Sequence, residues 1–365
     1  MDRRDVMKAA ALGLATATVG PGARAAPGDG QDAAAAGPGW HIETLQGGER
    51  RATGPVTSRI PQDPRMKYRP LGRTGELVSL VGVGGFHLAK PGGATNAEAI
   101  RIVHAAIDHG VTFFDNCWDY NGGESEVRLG RALARGWRDR VFLMTKLDGR
   151  TAQSATRQLD QSLARLGTDH LDLLQIHEVI RMDDPDRVFA PGGAIEALMR
   201  AREQGKFRYV GFTGHKSPAI HLHMFDLADR HGFHFDTVQM PLNVMDAHYD
   251  SFERHVLPVA LAHGTAVLGM KTFGDPFIYN THAVPPIEML HYPMSLPVSV
   301  QITGIDRMPI LQQALDAVRT WQPMTQPERE AILARTAQFA QNGHTELYKT
   351  TTHFDGTVRN PSYLG

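Results

Sequence analysis

Val111-Thr112-Phe113-Phe114-Asp115-Asn116-Cys117-Trp118-Asp119-Tyr120 is the stretch that decides how this chain is read. An apolar, β-prone run ends on a carboxylate, and a tyrosine follows five residues later. A buried strand here delivers Asp115 at its carboxyl end and sets Tyr120 in the loop beyond, facing the same mouth. Two later runs end the same way. Val141-Phe142-Leu143-Met144-Thr145-Lys146 stops on a lysine, and Leu171-Asp172-Leu173-Leu174-Gln175-Ile176-His177 stops on a histidine. Asp, Tyr, Lys and His at the ends of consecutive strands make a proton-handling site.

Working outward, the chain alternates strands and helices. Met66–Leu71 and Glu76–Ser79 flank Gly72-Arg73-Thr74-Gly75 and predict a short hairpin. Leu77–Val83 reads as the first strand, ending in Gly84-Gly85. Thr95, with Glu98 three residues on, forms a capping box that opens a helix. Downstream, Phe207–Phe212, Phe235–Met240, Thr265–Met270 and Val298–Ile302 read as further strands. Helices over Ile195–Arg202, from Ser217-Pro218, over Phe252–Ala262, Pro286–Tyr292 and Met308–Thr320 alternate with them. Eight strand–helix pairs between Met66 and Thr320 match a (β/α)8 TIM barrel, typically about 250 residues long. Alternation alone also allows a doubly wound sheet. Active residues after strands two, three and four favour the barrel. The expected layout is an N-terminal hairpin, a barrel over 66–322 and a C-terminal extension over 323–365.

The remaining segments are read from composition. Arg3-Arg4 and Lys8 precede an apolar small-residue stretch from Ala9 to Gly20, and Ala23-Arg24-Ala25 offers a cleavage site. This pattern, with Val6 in place of the usual phenylalanine, resembles a twin-arginine signal peptide over 1–25. The expectation is therefore export by the twin-arginine translocation machinery to the periplasm, with a cytoplasmic fraction allowed. Fractionation after Arg3 and Arg4 are both replaced by Lys tests it: unchanged periplasmic, processed protein would refute that route. Residues 26–65 are rich in Gly, Ala, Pro and Asp and read as a linker. With 42% hydrophobic and 21% charged residues, the composition is that of a globular domain. A net charge of −1 gives no strong pull towards nucleic acid, so no nucleic-acid partner is expected. The single cysteine, Cys117, excludes an internal disulfide and a four-cysteine zinc site.

Asp115, Tyr120, Lys146 and His177 carry specific chemistry. A carbonyl accepts hydride only if its oxygen receives a proton as charge develops. A phenol has a reference pKa of about 10, and a neighbouring ammonium is expected to lower it. A carboxylate keeps that ammonium charged and fixed. An imidazole beside the reacting oxygen orients the carbonyl and shares the proton work.

These residues bring a resemblance. From about Tyr68 to Thr320 the chain resembles an aldo-keto reductase. The matching stretches are Gly82-Val83-Gly84-Gly85-Phe86, Asp115 with Tyr120, Thr145-Lys146, Gln175-Ile176-His177, Gly205–Gly211, Val238-Gln239 and Gly304-Ile305-Asp306-Arg307. The resemblance implies a TIM barrel and hydride transfer from NADPH, or less often NADH, to an aldehyde or ketone. It assigns Tyr120 as the acid, assisted by Lys146, Asp115 and His177.

No Rossmann fingerprint is present, because the Gly82-x-Gly84 spacing fails at His87. A barrel instead offers a phosphate site at the loops after strands seven and eight. By resemblance Gly84, Gly85, Phe86, Thr213, Gln239, Lys271, Gly304, Asp306 and Arg307 form the cofactor site. Gln239 would hold the nicotinamide amide and Arg307 the 2′-phosphate of NADPH. Asp306 repels that phosphate but suits the free 2′-hydroxyl of NADH. Two positions depart from the family pattern. Thr213-Gly214 stands where a Ser-Asn pair is usual, and Gly269-Met270-Lys271 stands where a stacking tyrosine is common.

His221-x-His223 cannot share one helix face, and strand one ends without a His-x-His pair, so no catalytic metal is expected. A cofactor-binding regulatory subunit, as some potassium-channel β subunits resemble this family, is the alternative to an enzyme. It is told apart by turnover, and a redox partner would recycle the cofactor of an exported enzyme. The extension after Trp321 either folds over the barrel or carries an interface.

Overall fold

The computed structural model describes His41–Thr44, Arg50–Thr53 and residues 63–365. The twin-arginine signal, its cleavage site and most of the linker lie outside the described residues. Two antiparallel pairs come first: β1 (His41–Thr44) with β2 (Arg50–Thr53), and β3 (Tyr68–Pro70) with β4 (Leu77–Ser79). The second pair is the hairpin expected around Gly72–Gly75.

Eight parallel strands then close on themselves: β5 (Val81–Gly84), β6 (Phe113–Asp115), β7 (Phe142–Leu147), β8 (Leu171–Ile176), β9 (Phe207–Thr213), β10 (Thr237–Pro241), β11 (Ala266–Met270) and β12 (Val300–Gly304). β12 pairs with β5 to complete the barrel, and helices lie between the strands in sequence. The expected (β/α)8 barrel is therefore the fold. The caps read from the sequence are present. Thr95 Oγ1 accepts from the Glu98 amide at 3.3 Å while the Glu98 carboxylate accepts from the Thr95 amide at 2.9 Å. Ser217 caps the helix Pro218–Arg230.

Side-chain alternation along the strands sorts the core into two parts. Phe113, Phe142, Met144, Leu173, Tyr209, Leu268, Val300 and Ile302 fill the barrel interior. Leu71 and Val78 of the hairpin join them and plug the amino end of the barrel. Each is fully buried, worth about 1.5–3 kcal/mol of hydrophobic stabilisation apiece. Phe114, Leu143, Leu174, Val210 and Val238 point the other way, into the larger core beneath the helices. The hairpin is also tied electrostatically. Its Glu76 pairs with Arg208 of β9, which also pairs with Asp172 of β8, all three buried.

The structure corrects two element boundaries. Leu77–Val83 is not one strand, because it breaks at Leu80. The Ser79 hydroxyl accepts from the Thr112 amide at 3.0 Å and donates to the Val81 carbonyl at 2.7 Å, turning the chain out of the hairpin and into the barrel. The expected helix over Phe252–Ala262 is two helices, Phe252–His255 and Leu257–His263. Pro258 lacks the amide hydrogen that would continue the ladder across Val256. Among the described residues no helix is long and apolar enough to cross a membrane.

The extension folds over the carboxyl end of the barrel. A helix, Gln326–Thr336, is followed by short turns, and residues 346–364 cross the mouth. Lys349 donates to Asp246 at 2.7 Å, and His215 meets Asp355 at 2.9 Å. The Glu178 carboxylate accepts from the amides of Gly356 and Thr357, both at 2.8 Å. Farther along, the Arg150 amide donates to the Leu364 carbonyl at 2.8 Å.

Candidate active site

The inward parity that fills the barrel interior with Phe113, Phe142, Met144 and Leu173 reaches the mouth two residues later as Asp115, Lys146 and Gln175. Hydrophobic strand centres thus end in a polar layer. Lys146 is 1% exposed. Its ammonium forms an ion pair with Asp115, donates to the Asn116 carbonyl at 2.8 Å and lies 3.3 Å from Tyr120 Oη. The Tyr120 ring packs edge-on against Phe86 at 5.4 Å and His177 at 5.7 Å between centroids. The structure therefore brings Asp115, Tyr120, Lys146 and His177 into one cluster.

One expectation about this cluster is reversed. Burial raises the Tyr120 phenol well above its ordinary value, and the carboxylates of Asp115 and Asp119 add to the effect. The ammonium does not overcome this, because its charge is shared with Asp115 and the Asn116 carbonyl. Tyr120 therefore sits protonated, with the Lys146 ammonium 3.3 Å from its oxygen.

His177 is held by its neighbours. Its Nδ1 lies 2.8 Å from Asp148 Oδ1, 3.2 Å from Cys117 Sγ and 3.7 Å from Asp119 Oδ1. Burial alone would lower its pKa, but the carboxylates of Asp148 and Asp119 outweigh that and raise it. Asp119 is itself pushed up to about 6, first by burial and then by Asp148. Burial also pushes the Cys117 thiol up.

The residues assigned to the cofactor line the same end of the barrel. Gln239 donates from Nε2 to Asp115 Oδ2 at 2.8 Å, and its Oε1 is buried without a partner. Gly304 lies against His87, so closely that a Cβ would come within 2.2 Å of its Nδ1. Gly84 ends β5, and Gly85 and Phe86 begin the short helical turn after it. Arg307 is mostly exposed and bonded to Asp306 by two 2.9 Å hydrogen bonds. Thr213 is buried, and its carbonyl accepts from the Val179 amide at 2.9 Å. Lys271 has a left-handed backbone, φ +62°, and its ammonium lies 4.4 Å over the Phe354 ring. Burial lowers its pKa. The orphaned Gln239 Oε1 suits a nicotinamide dinucleotide, as acceptor for its amide.

Sequence reasoning missed Asp148, Cys117, Asp119, Glu178 and the segment around Asp355 as parts of this site. Asp148 lies two residues beyond Lys146, so strand parity carried a signal for it. Glu178 and Asp355 carried none, since their partners lie more than a hundred residues away in sequence. Glu178→Ala leaves the Gly356 and Thr357 amides without their acceptor, at about 1–3 kcal/mol for each buried group. Amide hydrogen exchange over residues 353–360 is expected to quicken while the barrel strands keep their protection. Unchanged exchange there would show that Glu178 does not hold the segment.

The comparisons with known proteins follow this geometry. A sequence profile described as the Aldo/keto reductase family matches residues 80–320. The chain is 34% identical over 171 residues to a 6-dehydroglucose reductase of Novosphingobium aromaticivorans, covering 43% of this chain and 53% of that one. It is 28% identical over 231 residues to the aldo-keto reductase YhdN of Bacillus subtilis, covering 57% and 64%. It is 32% identical over 160 residues to an L-galactose dehydrogenase of Arabidopsis thaliana, covering 41% and 49%. The alignments thus span from about half to just under two thirds of these curated relatives. An aldo-keto reductase from Bacillus halodurans, solved in its holo form, superposes with a TM-score of 0.62 at 22% identity, covering 74% of this chain and 96% of that one. That likeness bears on the fold, and the profile over residues 80–320 bears on descent: the chain belongs to the aldo/keto reductase family.

Proposed function

We propose that this protein reduces an aldehyde or ketone using NADPH, with NADH the alternative, and that Tyr120 is the general acid. The observation that carries this reading is Tyr120 Oη 3.3 Å from a buried ammonium that is itself paired with a carboxylate. The nicotinamide supplies the hydride when bound. The chain's own residues manage the proton and the charge. Tyr120 donates its hydroxyl proton to the carbonyl oxygen as negative charge grows there. Lys146 stabilises the resulting phenolate, and its ion pair with Asp115 holds it in place. His177 orients the carbonyl, with Asp148 fixing the ring through Nδ1. The segment 346–364 narrows access of water to this chemistry.

Gln239 would hold the nicotinamide amide, and Arg307 would meet the 2′-phosphate of NADPH. To do so Arg307 must exchange its bonds to Asp306 for bonds to the phosphate. The relatives' printed activities and the mouth itself support a substrate class. Both a 6-dehydroglucose and L-galactose are hydroxylated sugars. Asp119 offers a buried oxygen without a hydrogen-bond partner, suited to a hydroxyl donor. A sugar-like hydroxy-carbonyl compound is the proposed substrate.

The test is a panel of sugar-derived and simple carbonyls, each assayed with NADPH and NADH, on the parent and on Arg307→Ala. Turnover is expected with the parent, best on hydroxylated substrates. A charged hydrogen bond contributes about 1.5–3 kcal/mol, so Arg307→Ala is expected to weaken NADPH by about ten- to a hundredfold and NADH far less. Saturable cofactor binding with no turnover across the panel would support a regulatory subunit instead. Equal losses for the two cofactors would remove Arg307 from the phosphate site.

A further inference from the structure

Around the Nδ1 edge of His177 lies a group of atoms that the proposed reduction uses only to hold the ring, through Asp148, and to receive a substrate hydroxyl, at Asp119. Cys117 and Asp119 come from the loop after β6, Asp148 from the end of β7, and His177 from the end of β8. One ligand atom each from Cys117, Asp119 and His177 lies within 4.8 Å of the others. Asp148, fully buried, adds a carboxylate 2.8 Å from Nδ1. Two oxygens here, Asp119 Oδ1 and Asp148 Oδ2, are buried and accept no hydrogen bond. An unsatisfied buried polar atom costs about 1–3 kcal/mol, and more when charged. The carboxylates of Asp148 and Asp119 lie 2.8 and 3.7 Å from one imidazole nitrogen. A positive charge between them would relieve that excess of negative charge.

We propose that Cys117 Sγ, Asp119 Oδ1 and His177 Nδ1, with Asp148 as the fourth group, form a binding site for a thiophilic divalent cation of the Zn²⁺ type. A thiolate, an imidazole and carboxylates make a zinc ligand set, whereas Mg²⁺ and Ca²⁺ prefer oxygen alone. Spacing agrees with this choice. Zinc bonds of about 2.3 Å to sulfur and about 2.0 Å to nitrogen, at a tetrahedral angle, place the two ligands about 3.5 Å apart. Cys117 Sγ and His177 Nδ1 are 3.2 Å apart, and His177 Nδ1 and Asp119 Oδ1 are 3.7 Å apart. The site shares His177 with the proposed reductase chemistry. A metal at Nδ1 displaces the hydrogen bond to Asp148, so occupied and metal-free protein present the substrate with differently held imidazoles. The site is separate from any metal-hydrolase arrangement, because its role here is to hold or silence the histidine.

The experiment is a titration of the full-length protein, first dialysed against a chelator, with Co²⁺ and then Zn²⁺. It is read by absorption and by equilibrium dialysis. One equivalent of Co²⁺ is expected, with a near-ultraviolet thiolate-to-cobalt band and the visible bands of a tetrahedral ion, both lost on adding Zn²⁺. Cys117 is the only cysteine, so a thiolate band reports it alone. Cys117→Ser is expected to abolish the band and weaken Zn²⁺ by about a hundredfold. Asp119→Asn is expected to keep the band and weaken Zn²⁺ by about tenfold, and it serves as the test if the serine variant does not fold. Binding below one equivalent, a cobalt spectrum without the thiolate band, or Zn²⁺ affinity unchanged in Asp119→Asn would overturn the proposal. Since no turnover is read, this result and that of the substrate panel stand apart.

Discussion

Tyr120→Phe is expected to lower carbonyl reduction by about 10²–10⁴-fold, the usual cost of losing a general acid. The ring stays, so the edge contacts with Phe86 and His177 and the ammonium 4.8 Å from the ring centroid remain. Only the proton donor goes. Cofactor affinity, followed by fluorescence titration, is expected to change little, since Gln239 and the loop after β12 are untouched. The effect should appear in kcat and kcat/KM together, because the proton is delivered only as the transition state forms. A purified variant that turned over a good substrate at the parent rate would dismiss Tyr120 as the acid.

At the opposite end of the barrel, Arg208→Met is expected to cost about 3–5 kcal/mol of stability. Arg208 lies 2% exposed between Glu76 of the hairpin and Asp172 of β8. Breaking a buried ion pair from one side is far more costly than never having built it, because the remaining charge keeps its desolvation penalty. Asp172 retains Arg138 at 3.1 Å and the Leu143 amide at 2.8 Å, and Glu76 retains the Tyr209 hydroxyl at 3.3 Å, so the loss is that of the Arg208 charge between them. Methionine keeps much of the volume, which isolates the charge from the packing. Chemical denaturation is the measurement, and a loss below about 1 kcal/mol would show that the triad is not what fastens the hairpin to the barrel. Turnover at low temperature should survive, since the mouth lies at the other end.

The barrel was legible because strand periodicity and strand-end chemistry agreed. Asp115, Lys146 and Gln175 share parity with buried interior residues, so the sequence showed both which face they take and at which end. The break at Leu80 was not legible. Leu77–Val83 contains no Pro, and its one Gly, Gly82, lies inside β5 rather than at the break; the turn is made by Ser79 with Thr112, far away in sequence. The direction of the Tyr120 shift was missed for a related reason. Adjacency to Lys146 was readable, but the sharing of that ammonium with Asp115 and the Asn116 carbonyl was not. Residues 346–364 are held by polar contacts from Glu178, His215, Lys216 and Arg150, all far away in sequence, with no hydrophobic period to announce them.

Glu178, which anchors the segment over the mouth, is the next residue after His177 and takes a left-handed φ of +47°. One peptide unit therefore joins the residue proposed to orient the carbonyl to the residue that fastens the cover. For protein engineering this sets the boundary of an exchangeable module. A cover segment grafted from another reductase onto this barrel must bring a partner for residue 178, or the imbalance is delivered straight into the histidine's backbone. Libraries that vary residues 353–358 to change substrate range should vary residue 178 with them. Those that keep Glu178 fixed will select chiefly for sequences that preserve two amide donors, whatever else they are asked to bind.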